Sequence, residues 1–176
     1  MCNILNTSYI NGKFIVEVSS TTELVNYTYE LYLFDFKNGC YKAEPNVSQP
    51  ISSLQASRDG GVYTFKYDIP ANCKVKCAVT KDGNVVASRE CVVGSRHKIK
   101  VAMENSPIGY LYKLKADVSI SKKLIFYKSK VSSTKINIPA DIEAGETLVF
   151  TIKDKDFKPH FETYPEYAEC ITFENC

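Results

Sequence analysis

The sequence predicts an all-β chain folded as two antiparallel β-sandwiches in tandem. Apolar residues alternate with polar ones at a period of two, Asx-Gly turn signals separate the alternating runs, and the pattern breaks and restarts at Val93-Gly94-Ser95-Arg96. Phe14, Val16 and Val18 alternate with Lys13, Ile15 and Glu17. Tyr27, Tyr29, Leu31 and Leu33 alternate with Thr28, Glu30 and Tyr32; Tyr63, Phe65 and Tyr67, then Cys73, Val75, Cys77 and Val79, repeat the pattern. Successive side chains of a strand point to opposite faces, so each run offers one face to a core and one to water. Lys37-Asn38-Gly39, Asp59-Gly60-Gly61 and Asp82-Gly83 lie between runs, where a type I′ turn needs positive φ at both central residues. The best helix candidate, residues 50–57, supports a turn or two at most.

After the break the rhythm returns. A shift of 85 residues places Phe14, Val16 and Val18 on Ile99, Val101 and Met103, and Tyr27, Tyr29, Leu31 and Leu33 on Tyr112, Leu114, Ala116 and Val118. The same shift places Tyr63, Phe65 and Tyr67 on Leu148, Phe150 and Ile152. Phase carries this repeat, because a one-residue slip turns a strand's core face outward. The expected domains are residues 1–94 and a shorter 95–176. Each is about 80–90 residues of short strands spaced by turns, the size and rhythm of an immunoglobulin-like or fibronectin-like sandwich. The Cys…Trp…Cys signature is absent, since the chain has no Trp.

The stretch Asn26-Tyr27-Thr28-Tyr29-Glu30-Leu31-Tyr32-Leu33-Phe34 with Lys37-Asn38-Gly39 resembles the Tyr-rich second strand and hairpin of bacterial immunoglobulin-like accessory modules, the triple-tyrosine type included. Gly61-Val62-Tyr63-Thr64-Phe65 and the run 73–79 with Lys81-Asp82-Gly83 resemble their later strands. The resemblance covers roughly residues 10–93. It implies a non-catalytic module attached to a larger envelope-related protein, and it carries over no site residues, because the family shares no site motif.

Composition narrows the function classes. A net charge of +2 supplies no field for nucleic acid or a membrane surface, and no run approaches the ~18 apolar residues of a membrane span. Met1-Cys2-Asn3-Ile4-Leu5-Asn6 has neither the basic start nor the apolar core of a signal peptide. A cytoplasmic location is the default expectation, with envelope association if the chain belongs to a longer protein. Seven cysteines leave at least one unpaired, which suits reduced, buried thiols; an oxidised pair such as Cys40 with Cys91 is the alternative. Cys73 and Cys77, four strand residues apart, stand about 13 Å from each other, too far to bridge.

No metal, cofactor or catalytic residue is expected. Two histidines, His97 and His160, and no Cys-x-x-Cys leave zinc without ligands. Asp154-Lys155-Asp156 lacks the rest of a calcium loop. Neither Gly-x-Ser-x-Gly nor a phosphate-cradling Gly-rich loop occurs. Glu162, Glu166 and Glu169 share a segment, and a hydrolase on a sandwich scaffold stays the third-ranked reading.

Aromatic side chains are the better binding candidates. Tyr32 and Phe34 fall on the face opposite Leu31 and Leu33, and Phe161, Tyr164 and Tyr167 lie in a Pro-punctuated tail expected to be irregular. Arg96, Lys98 and Lys100 line the wet side of a strand and form a candidate basic patch. The expected partner is a protein; the alternative is a glycan stacked on exposed aromatics. Oligomeric state is left open.

Overall fold

The computed structural model describes residues 2–20, 24, 26–51, 57–59, 62–69, 74–129, 134–153 and 159–175. They are all-β: helical backbone among them is 3-10 alone, in the turns Lys122–Leu124 and Pro165–Tyr167 and at Ile51. The chain divides into two compact units, Met1–Phe34 with Tyr41–Ser95, and Asp35–Cys40 with Arg96–Cys176.

The first unit holds two sheets. One joins β1 (Cys2–Ile10), β2 (Lys13–Ser20), β7 (Val62–Asp68) and β6 (Ser57–Asp59) in the order β1-β2-β7-β6. The other joins β4 (Cys40–Tyr41), β3 (Tyr27–Asp35), β8 (Val75–Lys81) and β9 (Asn84–Cys91) in the order β4-β3-β8-β9, with β5 (Val47–Pro50) also on β3. β1 escapes the sequence pattern: its polar residues break the alternation, and a register shift falls between Ile4 and Asn6. The turn that follows it is a regular one. Asn11 and Gly12 both have positive φ, 51° and 79°, between the paired Ile10 and Lys13. Asp82 and Gly83 do the same before β9, as their residue types require. Of the expected turn at Asp59-Gly60-Gly61, both glycines lie outside the described residues, though Asp59 pairs with Val62. Most of the helix candidate at 50–57 lies outside them too; Pro50 ends a strand.

Alternation becomes core. Phe14, Val16 and Val18 from β2 and Phe65 from β7 meet Tyr29 and Leu31 from β3 and Val75, Cys77 and Val79 from β8 in one cluster. Tyr29 ties the two sheets: its ring stacks on Tyr67 at 4.8 Å and tilts against Phe65 at 5.5 Å. Such pairs add about 0.5–1.5 kcal/mol each to the gain from burial.

The second unit also holds two sheets. β10 (His97–Ser106), β11 (Gly109–Ala116), β14 (Thr147–Ile152) and β16 (Ile171–Asn175) run in the order β14-β11-β10-β16, with β16 parallel to β10. β12 (Ile125–Ser129), β13 (Ile136–Asn137) and β15 (Pro159–Thr163) run in the order β13-β12-β15. Ile99, Leu114, Ile120, Ile125 and Ile142 are almost completely buried. The hairpin Asp35–Cys40 belongs to this core. Phe36 is buried edge-on to His97 at 4.8 Å, its carbonyl accepts from Ser121 N at 2.7 Å, and Gly39, at φ 75°, lies under Leu124. The tail expected to be irregular is partly ordered. Pro159 opens β15, a position where a missing N–H is tolerated, and Pro165 opens a 3-10 turn for the same reason.

Strand pairing corrects the uniform shift of 85 residues. β2 sits between β1 and β7, as β11 sits between β10 and β14, so β2 corresponds to β11 and not to β10. Val16 faces Phe65 where Tyr112 faces Phe150. Only β7 and β14 keep the expected offset. A period of two cannot tell one strand from the next, because any shift of the right parity restores the phase. The units differ at their last strand: β9 extends the sheet of β3 and β8, whereas β16 joins the other sheet beside β10 and leaves β15 at an edge.

Cys2, Cys40, Cys77 and Cys91 are free thiols among the described residues, and Cys170 is buried; Cys73 and Cys176 lie outside them. Burial pushes the Cys77 thiol up to about 12, with Cys91 adding to it, and burial with Cys77 alongside raises the Tyr29 and Tyr67 hydroxyls too. Above the ordinary thiol value of 9.0 the unfolded chain has lost a proton that the folded chain keeps. Stability is therefore fully present below about pH 9 and falls as pH rises toward about 12. Urea midpoints should drop progressively across that window, with a shallower fall in Cys77→Ala. A midpoint unchanged up to about pH 11 contradicts this.

Candidate functional site

The predicted aromatic face on β3 exists, but lysines cover it. Phe34 is buried, 5% exposed, which corrects its reading as an exposed ring. It stands edge-on to Tyr41 at 5.3 Å, and Lys74 Nζ lies 5.1 Å from its centroid. Tyr32 is half-buried and donates to Glu30 Oε2 at 2.7 Å, while Lys76 Nζ sits 4.5 Å above its ring and 5.0 Å from that of Tyr41. Lysine stems lie along apolar surface while their ammonium groups face the rings, so the stripe is internally satisfied.

The remaining predicted residues are dispersed over the second unit. Phe161 is in β15 and buried, not on an exposed loop. Tyr164 packs on Phe126 at 5.0 Å under Lys135, and Tyr167 closes the second 3-10 turn half-buried. Arg96, Lys98 and Lys100 are exposed. Lys98 pairs with Glu174 at 3.5 Å, and Lys100 stands opposite both Glu174 and Lys115, so acids interleave the basic row. Exposed pairs of this kind contribute about 0–1 kcal/mol.

What the structure gathers instead is a cleft of about 730 Å³ in the second unit, within the ~300–1,000 Å³ range of small-molecule pockets. Strand placement creates it. With β16 beside β10, nothing among the described residues extends the second sheet past β15, and the cleft lies between β15 and the β10–β16 face. Among the described residues, β10 and β11 have 10 and 8 residues and β12 and β15 have 5 each, so the described part of the second sheet faces only part of the β10–β11 hairpin. Exposure along the inward side of β10 tracks this: Ile99 0%, Val101 7%, Met103 52%.

The inner wall is aromatic. Phe161 contacts Tyr112 at 5.4 Å and Phe173 at 6.2 Å, and Tyr112 lies 6.1 Å from Phe150. The Tyr112 hydroxyl donates to Met103 Sδ at 3.4 Å; burial first, then Tyr110, raises its pKa, so it is a donor at neutral pH. The mouth carries half-buried Tyr110 and exposed Asn105, Asn175 and His160. His160 Nε2 is 3.2 Å from Glu162 Oε1, and Glu162 also takes Lys128 Nζ at 3.0 Å. Of the eight predicted residues only Phe161 lines this cleft. Met103 and Tyr112 read as ordinary core phase, Tyr110 was not singled out, and nothing local in the sequence says that β16 pairs with β10.

No group of three His, Cys, Asp or Glu side chains among the described residues is placed to hold a metal ion; Asp154 and Asp156 lie outside them. No helix among them is long and apolar enough to cross a membrane. No family model matches the chain, and no curated protein matches it.

Wall and mouth should separate energetically. Phe161→Ala should cost about 3–5 kcal/mol in urea unfolding, as for a buried ring left as a cavity. Tyr110→Ala should cost about 1 kcal/mol, the ordinary value for a partly exposed site. Equal costs would contradict the assignment of inner wall and mouth.

Proposed function

We propose that the chain is a pair of immunoglobulin-like sandwiches acting as a non-catalytic binding module, with its ligand taken in the cleft beside β15. Strand order supports the architecture: β1-β2-β7-β6 against β3-β8-β9 is the ABED and CFG arrangement of a constant-type immunoglobulin sandwich. The second unit follows the same order through β10-β11-β14 and β12-β15, but among its described residues no strand lies beyond β14 as β6 lies beyond β7, and β16 joins β10. The open, aromatic-walled cleft carries the functional reading. Its lining suits ligand binding, because aromatic rings form the wall and a few polar groups, Asn105, Asn175 and the Tyr110 hydroxyl, stand at the mouth. Association with a larger envelope-related protein follows from the resemblance in the first unit.

A protein partner laid along β9 is the second reading. It is favoured by Val85 and Val86, 61% and 43% exposed on a strand that ends its sheet. Methyl-labelled methionine separates the two. A ligand or partner in the cleft should shift the Met103 methyl resonance and spare Met1. A partner on β9 should leave Met103 unmoved and be lost in Val85→Lys. Binding partners that do neither would overturn both readings.

A further inference from the structure

We infer that the cleft of the second unit selects a neutral carbohydrate, bound with the apolar C–H face of a sugar ring against Tyr110 and its hydroxyls toward Asn105, Asn175 and His160. This inference rests on the cleft being the binding site. Three features of the lining choose the class. First, the polar groups of the described lining are amides, phenols and one imidazole, and the charges beside it are compensated locally, Glu162 lying 3.2 Å from His160 and 3.0 Å from Lys128. Second, the two asparagines carry both donors and acceptors at the mouth, matching the paired donor and acceptor character of vicinal hydroxyls. A wholly apolar ligand would strip water from these amides and return no hydrogen bond. Third, the rings behind them are held edge to face, Tyr110 on Tyr112 at 6.5 Å and Tyr112 on Phe161 at 5.4 Å. The platform is therefore already formed and little ordering is needed on binding.

Calorimetry of the full chain with neutral oligosaccharides (gluco-, manno-, xylo- and galacto-configured) and with polygalacturonate and sialyllactose tests this, read together with the Met103 methyl shift. At least one neutral series should bind and move Met103. Tyr110→Ala, and the double variant Asn105→Ala with Asn175→Ala, should each weaken it tenfold or more with thermal melts close to the parent. Lys100→Ala, on the outward face, should bind as the parent does. Binding of acidic saccharides alone, or of peptides in preference to sugars, overturns the carbohydrate assignment and keeps the cleft as the site. Saccharide binding that leaves Met103 unmoved overturns this cleft as its location. If no saccharide binds while apolar fragments shift Met103, the ligand class is wrong and the cleft reading stands; if nothing shifts Met103, both fall.

Discussion

The placement of one strand governs the second unit. β16 hydrogen-bonds in parallel to β10 instead of extending the sheet of β12 and β15. Two consequences follow from that choice. The first sheet gains a fourth strand and buries Ile99 and Ile171. Among the described residues the second sheet ends at β15, and Met103, inward beyond Val101, is 52% exposed. The described β12 and β15, about 17 Å each, face only part of a β10 of about 33 Å. The same alternation that makes a closed core in the first unit makes an open one here.

Both units use charge to finish their outward faces. Lys74 and Lys76 lie over Phe34, Tyr32 and Tyr41, and Lys135 lies over Phe126 and Tyr164. Around Lys98, Lys113 and Lys128, glutamates supply the partners. Cation–π and exposed ion pairs are individually small, about 0.5–1 kcal/mol or less at such sites. Their common effect is to give these lysines partners within the chain. The mouth of the cleft differs, since its described polar groups are amides and one imidazole.

Much of the fold was legible. The runs around Phe14, Tyr29, Phe65 and Cys77 became β2, β3, β7 and β8 with the predicted residues inward. The Asp82-Gly83 turn formed where its chemistry required. β1 was not legible because Asn3, Asn6 and Ser8 disturb its period and a bulge shifts its register. The equivalence of strands across the halves was misread because parity alone cannot identify a strand. The site was hidden for a related reason: Met103 and Tyr110 occupy core-phase positions, and their exposure depends on β16, some 70 residues further along the chain. Phe34 shows the converse. Its parity put it outward, yet it is buried, with Tyr41 edge-on and Lys74 over its ring.

Peroxide oxidation of Met103 in the folded, ligand-free chain tests the open core most directly, with the sulfoxide located by peptide mass mapping. Hydrogen peroxide transfers one oxygen to the thioether and leaves as water, and the reaction needs an approach to the sulfur. An open cleft predicts oxidation of Met103 in the native protein within a few-fold of the rate in urea. Protection of Met103 by orders of magnitude would mean that the space beside β15 is closed, and the account of the second unit would be wrong.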